Sequence, residues 1–157
     1  MPDVREMREM REVPEVVELE IPARPEFVAL ARLVVSAMAS SDATLSDDQI
    51  DDLKIAVSEA CTNAIEAYGD HREDGVVVRC WADERALRVS VEDRGPGFDP
   101  STLPDHPPPT DPDRLKFERG LGIPLIRALV DEVEISSSQS GTEVRLSVWH
   151  SGPGKAL

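Results

Sequence analysis

The chain has 157 residues, a length that predicts one domain with a sizeable hydrophobic core. Its formal net charge of −14 argues against a nucleic-acid binder and against a protein that docks on anionic lipid. No apolar run is long enough to span a bilayer, and the two cysteines give neither a disulfide framework nor a zinc spacing, so we expect a cytoplasmic protein.

The first predicted elements are one strand and two helices. Alternation of apolar residues with glutamate predicts a half-buried strand over 17–21. Apolar residues at helical spacing predict an amphipathic helix over 25–39. A second helix is predicted over 47–68, because Ser46 and Gln49 have the spacing of a capping box and an apolar stripe follows them.

The second half of the chain predicts four strands and one helix. Alternation places the strands around 76–80, 87–91, 133–135 and 144–148. Residues 94–118 differ in kind, since they hold seven prolines from Pro96 to Pro112 and show no periodicity. A long loop of this type inside a compact domain is often an active-site lid. A short helix is predicted directly after it.

This order of elements predicts an α/β protein of one architecture. Neighbouring alternating strands favour antiparallel pairing, and three helices suffice to cover one face of a sheet. We therefore expect a two-layer α/β sandwich with a mixed, mainly antiparallel sheet. The expected organisation is a single domain over 14–150 with a lid at about 98–118, a loosely ordered lead over 1–13 and a flexible tail over 151–157.

One segment of chemical interest lies on the predicted helix over 47–68. Glu59 and Asn63 are four residues apart, so their side chains share one helix face, with Cβ atoms about 5–6 Å apart. An amide oxygen suits Mg²⁺, and a carboxylate one turn earlier can orient or deprotonate an attacking hydroxyl. Taken alone, the pair also fits two polar residues on a solvated helix face.

A second segment follows the strand around 87–91. Asp93 can accept a hydrogen bond from an exocyclic amine there. Gly95 and Gly97 let the backbone turn sharply or approach a flat ring. Taken alone, this pattern also fits an ordinary turn.

A third segment, Arg119-Gly120-Leu121-Gly122, stands at the start of the last predicted helix. Free backbone N–H groups and the helix dipole attract phosphate at such a position. The glycines let phosphate oxygens come close to the backbone. The other interpretation is a plain glycine turn before a helix.

Together and in this order, the three segments resemble the N, G1 and G2 boxes of the GHKL ATPase superfamily. The pair Gly141-Thr142, which opens the last strand, resembles its final box. Within the superfamily, segments 58–70, 91–100 and 119–135 resemble the anti-sigma-factor serine/threonine kinases of bacterial partner-switching systems. The resemblance covers roughly 15–150, and its specificity comes from four boxes in one order.

The resemblance implies a Bergerat-type fold that binds ATP and Mg²⁺ beneath the lid. It also implies a homodimer that binds a sigma factor, or an anti-sigma-factor antagonist whose serine it phosphorylates, with no direct contact to nucleic acid or membrane. By position, Glu59 would be the catalytic base and Asn63 would hold Mg²⁺. The residues that the resemblance assigns to nucleotide binding are Asn63, Asp93, Gly95, Gly97, Arg119, Gly120, Leu121, Gly122 and Thr142.

Within that set the implied roles differ. Asp93 would read the adenine amine, with Thr142 nearby, and Gly120 and Gly122 would face the phosphates. Arg119 would touch the γ-phosphate. Two other interpretations stay open, namely a nucleotide-sensing binding module without kinase activity and a structural α/β domain in which the motifs are accidental.

The end of the long helix departs from the branch's usual pattern. The stretch from Asn63 to Tyr68 is one residue shorter than in the branch and lacks its histidine. We therefore expect this helix end to be built differently.

Overall fold

A computed structural model describes residues 15–68, 75–94 and 122–150 of the protein. Its strands are β1 (Val17–Ile21), β2 (Val76–Ala82), β3 (Ala86–Asp93), β4 (Glu132–Ser138) and β5 (Gly141–Trp149). Its helices are α1 (Val28–Ser40), α2 (Asp47–Ala67) and α3 (Gly122–Leu129). The predicted lid over 98–118, the lead over 1–13 and the tail over 151–157 lie outside the described residues.

The sheet has five strands in the order β1-β2-β3-β5-β4, and each neighbouring pair is antiparallel. The predicted two-layer α/β sandwich is confirmed, and its described sheet is antiparallel throughout where a mixed, mainly antiparallel sheet was predicted. The pairing of β3 with β5 matters most for the site, because it sets Asp93 directly opposite Thr142. The end of β3 and the start of β5 therefore lie side by side at one end of the sheet.

The helix predicted over 25–39 begins with a separate turn. Pro25–Phe27 form a 3₁₀ turn, and α1 starts only at Val28. Proline suits the first turn of a helix because it has no N–H to leave unpaired there, and tight turns of this kind are common at helix starts. The prediction of the helix was right, and its first turn differs in type.

The long helix α2 begins where its sequence predicts. The Ser46 side chain accepts a hydrogen bond from the Gln49 amide at 3.1 Å, and the Gln49 side chain accepts one from the Ser46 amide at 2.9 Å. Asp47 and Asp48 occupy the first turn, where the helix dipole favours negative charge. The helix ends at Ala67, and Tyr68 is its C-terminal cap.

The core lies between the helices and one face of the sheet. Its largest fully buried side chains include Leu53 of α2, Val89 of β3 and Ile126 of α3. Cys61 and Cys80 are also buried in it, as predicted for small apolar residues, and burial raises the pKa of each thiol to about 12. Thiols that stay protonated are poor nucleophiles, so neither cysteine is a reactive group.

The other face of the sheet is covered by its own long side chains. The Arg145 guanidinium lies 5.4 Å from the centre of the Trp81 ring, and that of Arg88 lies 5.8 Å from the Trp149 ring. Arg79 bridges Glu18 at 2.9 Å and Glu92 at 2.7 Å. Alternate residues of the strands thus build a charged and aromatic layer on this side. Among the described helices, none is long and apolar enough to cross a membrane.

Candidate functional site

The two polar side chains predicted on the long helix lie on its flank. Glu59 and Asn63 are half-buried, while the neighbours Ala60 and Ala64 face the core. Within the part of the chain that the structure describes, the side chains of Glu59 and Asn63 make no hydrogen bond or ion pair. A carboxylate and an amide one helical turn apart, each with open bonding capacity, can both contact a ligand at this flank.

Gly122 brings the start of α3 against this pair. It is the first residue of α3 and is buried. A Cβ built on it would lie 2.5 Å from Asn63 Nδ2 and 3.0 Å from Asn63 Oδ1, closer than side-chain atoms tolerate. Only glycine therefore lets the N-terminus of α3 pack directly on the Asn63 amide. The unpaired N–H groups of a helix start attract anions, so this junction places a side-chain amide beside donors of the kind that bind phosphate in other proteins.

The residues predicted to read a base lie at the ends of β3 and β5. Asp93 and Thr142 are paired across the ladder, and each is only 5% exposed. Side chains alternate along a strand, so Asp93 shares the helix-facing side of β3 with the core residue Val91. Thr142 Oγ1 lies 3.0 Å from Ser137 Oγ of the neighbouring strand. This end of the sheet therefore holds polar side chains next to the apolar core.

Two further residues shape this end of the sheet. The sequence analysis gave Tyr68 no role, and it placed Gly141 in the final box without assigning it a contact. The Tyr68 hydroxyl donates to the Gly75 carbonyl at 2.9 Å and accepts a hydrogen bond from the Arg94 amide at 2.6 Å. Gly141 has a φ of +145°, and a Cβ on it would lie 2.0 Å from the Asp93 carbonyl oxygen. A positive φ and so close an approach require glycine. The local signals were a tyrosine near a helix end and a glycine at the start of a strand.

Five predicted site residues cannot be placed. Gly95, Gly97, Arg119, Gly120 and Leu121 lie outside the described residues. The structure thus brings Asn63 together with Gly122, and Asp93 together with Thr142. Helix α2 connects the two pairs, because Tyr68 follows Asn63 by five residues and binds the amide next to Asp93.

The described residues offer one side-chain oxygen that suits a metal held mainly by its substrate, that of Asn63. Among residues 15–68, 75–94 and 122–150, no group of three or more histidine, cysteine, aspartate or glutamate side chains could hold a metal ion. Mg²⁺ is commonly bound through one or two protein oxygens, with substrate phosphates and water completing its octahedron. The Asn63 amide oxygen beside the start of α3 fits that mode.

Comparison with known proteins places the same segments in one family. The histidine kinase-like ATPase domain family matches residues 21–148. The chain is 43% identical over 141 residues to the serine-protein kinase RsbW of Bacillus velezensis, which covers 87% of this chain and 86% of that protein. It is 39% identical over 141 residues to the serine-protein kinase RsbW of Bacillus subtilis strain 168, with the same coverage.

Solved structures agree on the fold. The RsbU and RsbW domains of a Mycobacterium tuberculosis protein match with a TM-score of 0.64 and 21% identity, over 91% of this chain and 34% of that longer chain. The histidine kinase domain of a blue-light activated histidine kinase from Erythrobacter litoralis matches with a TM-score of 0.51 and 20% identity, over 82% of this chain and 61% of that one. At such identities the likeness concerns architecture alone.

Proposed function

The chain belongs to the histidine kinase-like ATPase family, and we propose that it is an ATP-dependent serine-protein kinase of the anti-sigma-factor type. It binds a sigma factor and phosphorylates a serine of an anti-sigma-factor antagonist. Relatives named serine-protein kinases match most of its length at 37–43% identity, which supports catalysis over the alternative of a nucleotide-sensing module without phosphoryl transfer.

The observation that carries the proposal is the contact between Asn63 and Gly122. It joins two segments that are far apart in the sequence, one predicted to hold Mg²⁺ and the other predicted to face the phosphates of the same nucleotide. A helix start supplies N–H donors for the phosphates, and the amide oxygen supplies a ligand for Mg²⁺. When bound, Mg²⁺ neutralises charge that develops on the transferred phosphoryl group. The global charge of −14 makes such local attraction necessary for a triphosphate.

The remaining roles follow from position along this site. Glu59 lies one turn before Asn63. We assign it the role of general base, which accepts the proton of the substrate serine hydroxyl. Asp93 accepts a hydrogen bond from the adenine amine at the end of β3, with Thr142 beside it. Gly122 presents the first N–H groups of α3 to the phosphates. The proposal also includes, from sequence alone, roles in nucleotide binding for Gly95, Gly97, Arg119, Gly120 and Leu121.

Protein partners are part of the same proposal. A kinase of this type needs exposed surface for a sigma factor and for an antagonist, and α1 offers apolar side chains there. Leu33 is 65% exposed and Leu30 is 42% exposed on this helix. Buried contact with such side chains is a common source of binding energy between proteins. We further propose a homodimer and a cytoplasmic location, on the resemblance to the branch.

The direct test is phosphoryl transfer by a Glu59→Gln variant. The substitution keeps the shape of the side chain and removes the base. We expect ATP affinity to stay within about threefold and the turnover for transfer to a serine of the antagonist to fall by about 10²–10⁴-fold. Labelled ATP gives the rate, mass spectrometry identifies the phosphoserine, and calorimetry gives the affinity.

A matched control removes an equal charge from the same helix. Asp51 lies eight residues before Glu59 and its side chain is 70% exposed, so Asp51→Asn should transfer at the wild-type rate. Phosphoryl transfer by Glu59→Gln at the wild-type rate would show that Glu59 is not the general base. Absence of ATP binding by the wild-type chain would refute the whole proposal.

A further inference from the structure

The hydroxyl of Tyr68 joins the ends of three elements. Tyr68 caps α2, is 5% exposed, and donates from its hydroxyl to the carbonyl of Gly75, directly before β2. The same hydroxyl accepts the amide N–H of Arg94, directly after β3, at 2.6 Å. A phenol has one proton to donate and can accept in addition, so both bonds form at once. One side chain therefore links the end of α2, the start of β2 and the end of β3.

We propose that Tyr68 is a positioning residue for base recognition, a role that rests on the proposed function and deepens it. The Arg94 amide belongs to the peptide unit that follows Asp93, so holding this N–H fixes the backbone from which the Asp93 side chain projects. Asp93 is the residue that discriminates the amino group of the base. Tyr68 thus acts on nucleotide choice through Asp93 and without touching the nucleotide.

An independent observation concerns the other end of the same peptide unit, which packs closely against Gly141. Gly141 leaves no room for a Cβ, which would lie 2.0 Å from the Asp93 carbonyl oxygen and 2.9 Å from the Arg94 Cα. The N–H of this peptide is bound by Tyr68, and its carbonyl oxygen packs against Gly141 at the start of β5. A peptide unit bonded at its N–H and closely packed at its carbonyl gives the adjoining carboxylate a narrow range of positions. Discrimination between donor and acceptor groups depends on such placement.

The decisive variant is Tyr68→Phe, which removes one oxygen and keeps the ring. We expect its ATP affinity to fall about tenfold and its preference for ATP over GTP to fall by a similar factor. Turnover at saturating ATP should change by no more than about twofold, because the phosphate end of the site is left intact. Calorimetry with ATP and with GTP gives the ratio, and transfer kinetics separate KM from kcat.

Coupling to Asp93 separates positioning from a general effect on stability. If Tyr68 acts through Asp93, Tyr68→Phe should add little to the loss of ATP affinity already caused by Asp93→Asn. Ser46→Ala is the matched control, because it weakens the opposite end of the same helix and should leave the ratio of ATP to GTP affinity unchanged. The proposal would be overturned if the losses of ATP affinity from the two substitutions multiplied in the double variant. It would also be overturned if Tyr68→Phe lowered the melting temperature and left the ratio of ATP to GTP affinity unchanged.

A spectroscopic experiment follows Tyr68 without removing its hydroxyl. The chain has one tyrosine, so growth on 3-fluorotyrosine places a single ¹⁹F label at Tyr68. We expect ATP to shift this resonance in the wild-type background and to leave it in place in Asp93→Asn at equal saturation. A resonance that ATP does not move, in a protein whose ATP binding calorimetry confirms, refutes the positioning role. Absence of ATP binding in calorimetry would instead refute the proposed function.

Discussion

Gly122 shows how the site depends on one missing methyl group. The space in front of its Cα is filled by the Asn63 amide, and its φ is not in the left-handed region, so contact alone dictates glycine there. The nearest atoms belong to the tip of a side chain. A larger residue would therefore displace the amide and leave the backbone of α3 in place.

This steric relation gives a prediction for Gly122→Ala. Alanine favours helix over glycine, so the fold should persist with a melting temperature near the wild-type value. Displacement of the Asn63 amide should lower ATP affinity in the presence of Mg²⁺ by about 10–100-fold, the usual cost of disturbing a metal ligand. Calorimetry with Mg²⁺ and ATP measures it.

The control for that variant lies on the same helix. Leu125 is 42% exposed on α3, and Leu125→Ala should leave nucleotide affinity unchanged. Equal affinities for wild type and Gly122→Ala would show that the Asn63 amide is not used in binding. A large drop in melting temperature would show that the backbone moves and the amide does not.

At the scale of elements, much of the fold could be predicted because its signals are local. Helix α2 carries a capping box at its start and an apolar stripe along its length, and both form as predicted. The strands were visible from alternation because only one face of the sheet packs on helices. The 3₁₀ turn at Pro25–Phe27 was not predicted, since the apolar spacing there fits either kind of turn.

The capping box predicts a measurable share of stability. Ser46→Ala removes the acceptor of the Gln49 amide and should cost about 1 kcal/mol of unfolding free energy, or about 2–4 °C in melting temperature for a domain of this size. Thr62→Ala, at an exposed position in the middle of α2, is the control and should be neutral or stabilising, because alanine favours helix. Urea and thermal unfolding measure both variants. Equal stabilities of Ser46→Ala and wild type would contradict the cap.

At the scale of the whole molecule, the sequence indicates which segments carry functional residues but not which of those residues contact each other in the fold. It predicted Asn63 and Asp93 as site residues because each stands in a short motif. It did not predict that Tyr68 binds the Arg94 amide, because 26 residues separate them and no local pattern marks the contact. The same holds for His150, whose ring nitrogen lies 3.0 Å from Asp42. Contacts of this kind depend on the assembled fold.

The side chains of Asp42 and His150 join two loops to the residue that follows β5. Asp42 lies in the loop between α1 and α2, and the other ring nitrogen of His150 contacts the Asp83 carbonyl in the turn between β2 and β3 at 2.8 Å. Burial alone would raise the pKa of the Asp42 carboxyl, but hydrogen bonds from Thr44 and the charge of His150 outweigh it and lower this pKa below its ordinary value. The charged carboxylate is therefore the form that the fold prefers.

A carboxyl whose pKa is lowered by folding stabilises the protein above its unfolded pKa of about 3.9 and loses that contribution as the pH falls through its folded pKa. At pH 6, Asp42→Asn should therefore be less stable than wild type by about 1–2 kcal/mol, from weaker hydrogen bonds to Thr44 and His150. The difference should shrink as the pH falls below about 4, because the wild-type carboxyl then takes up a proton and becomes neutral like the amide. Urea unfolding at a series of pH values gives this difference directly. Glu84→Gln, at an exposed site in the turn between β2 and β3, is the control, and its unfolding free energy should differ from that of wild type by the same amount at every pH.

The contradicting outcome is a loss of stability in Asp42→Asn that is equal at pH 3 and pH 6. It would mean that the charge of Asp42 does not stabilise the fold.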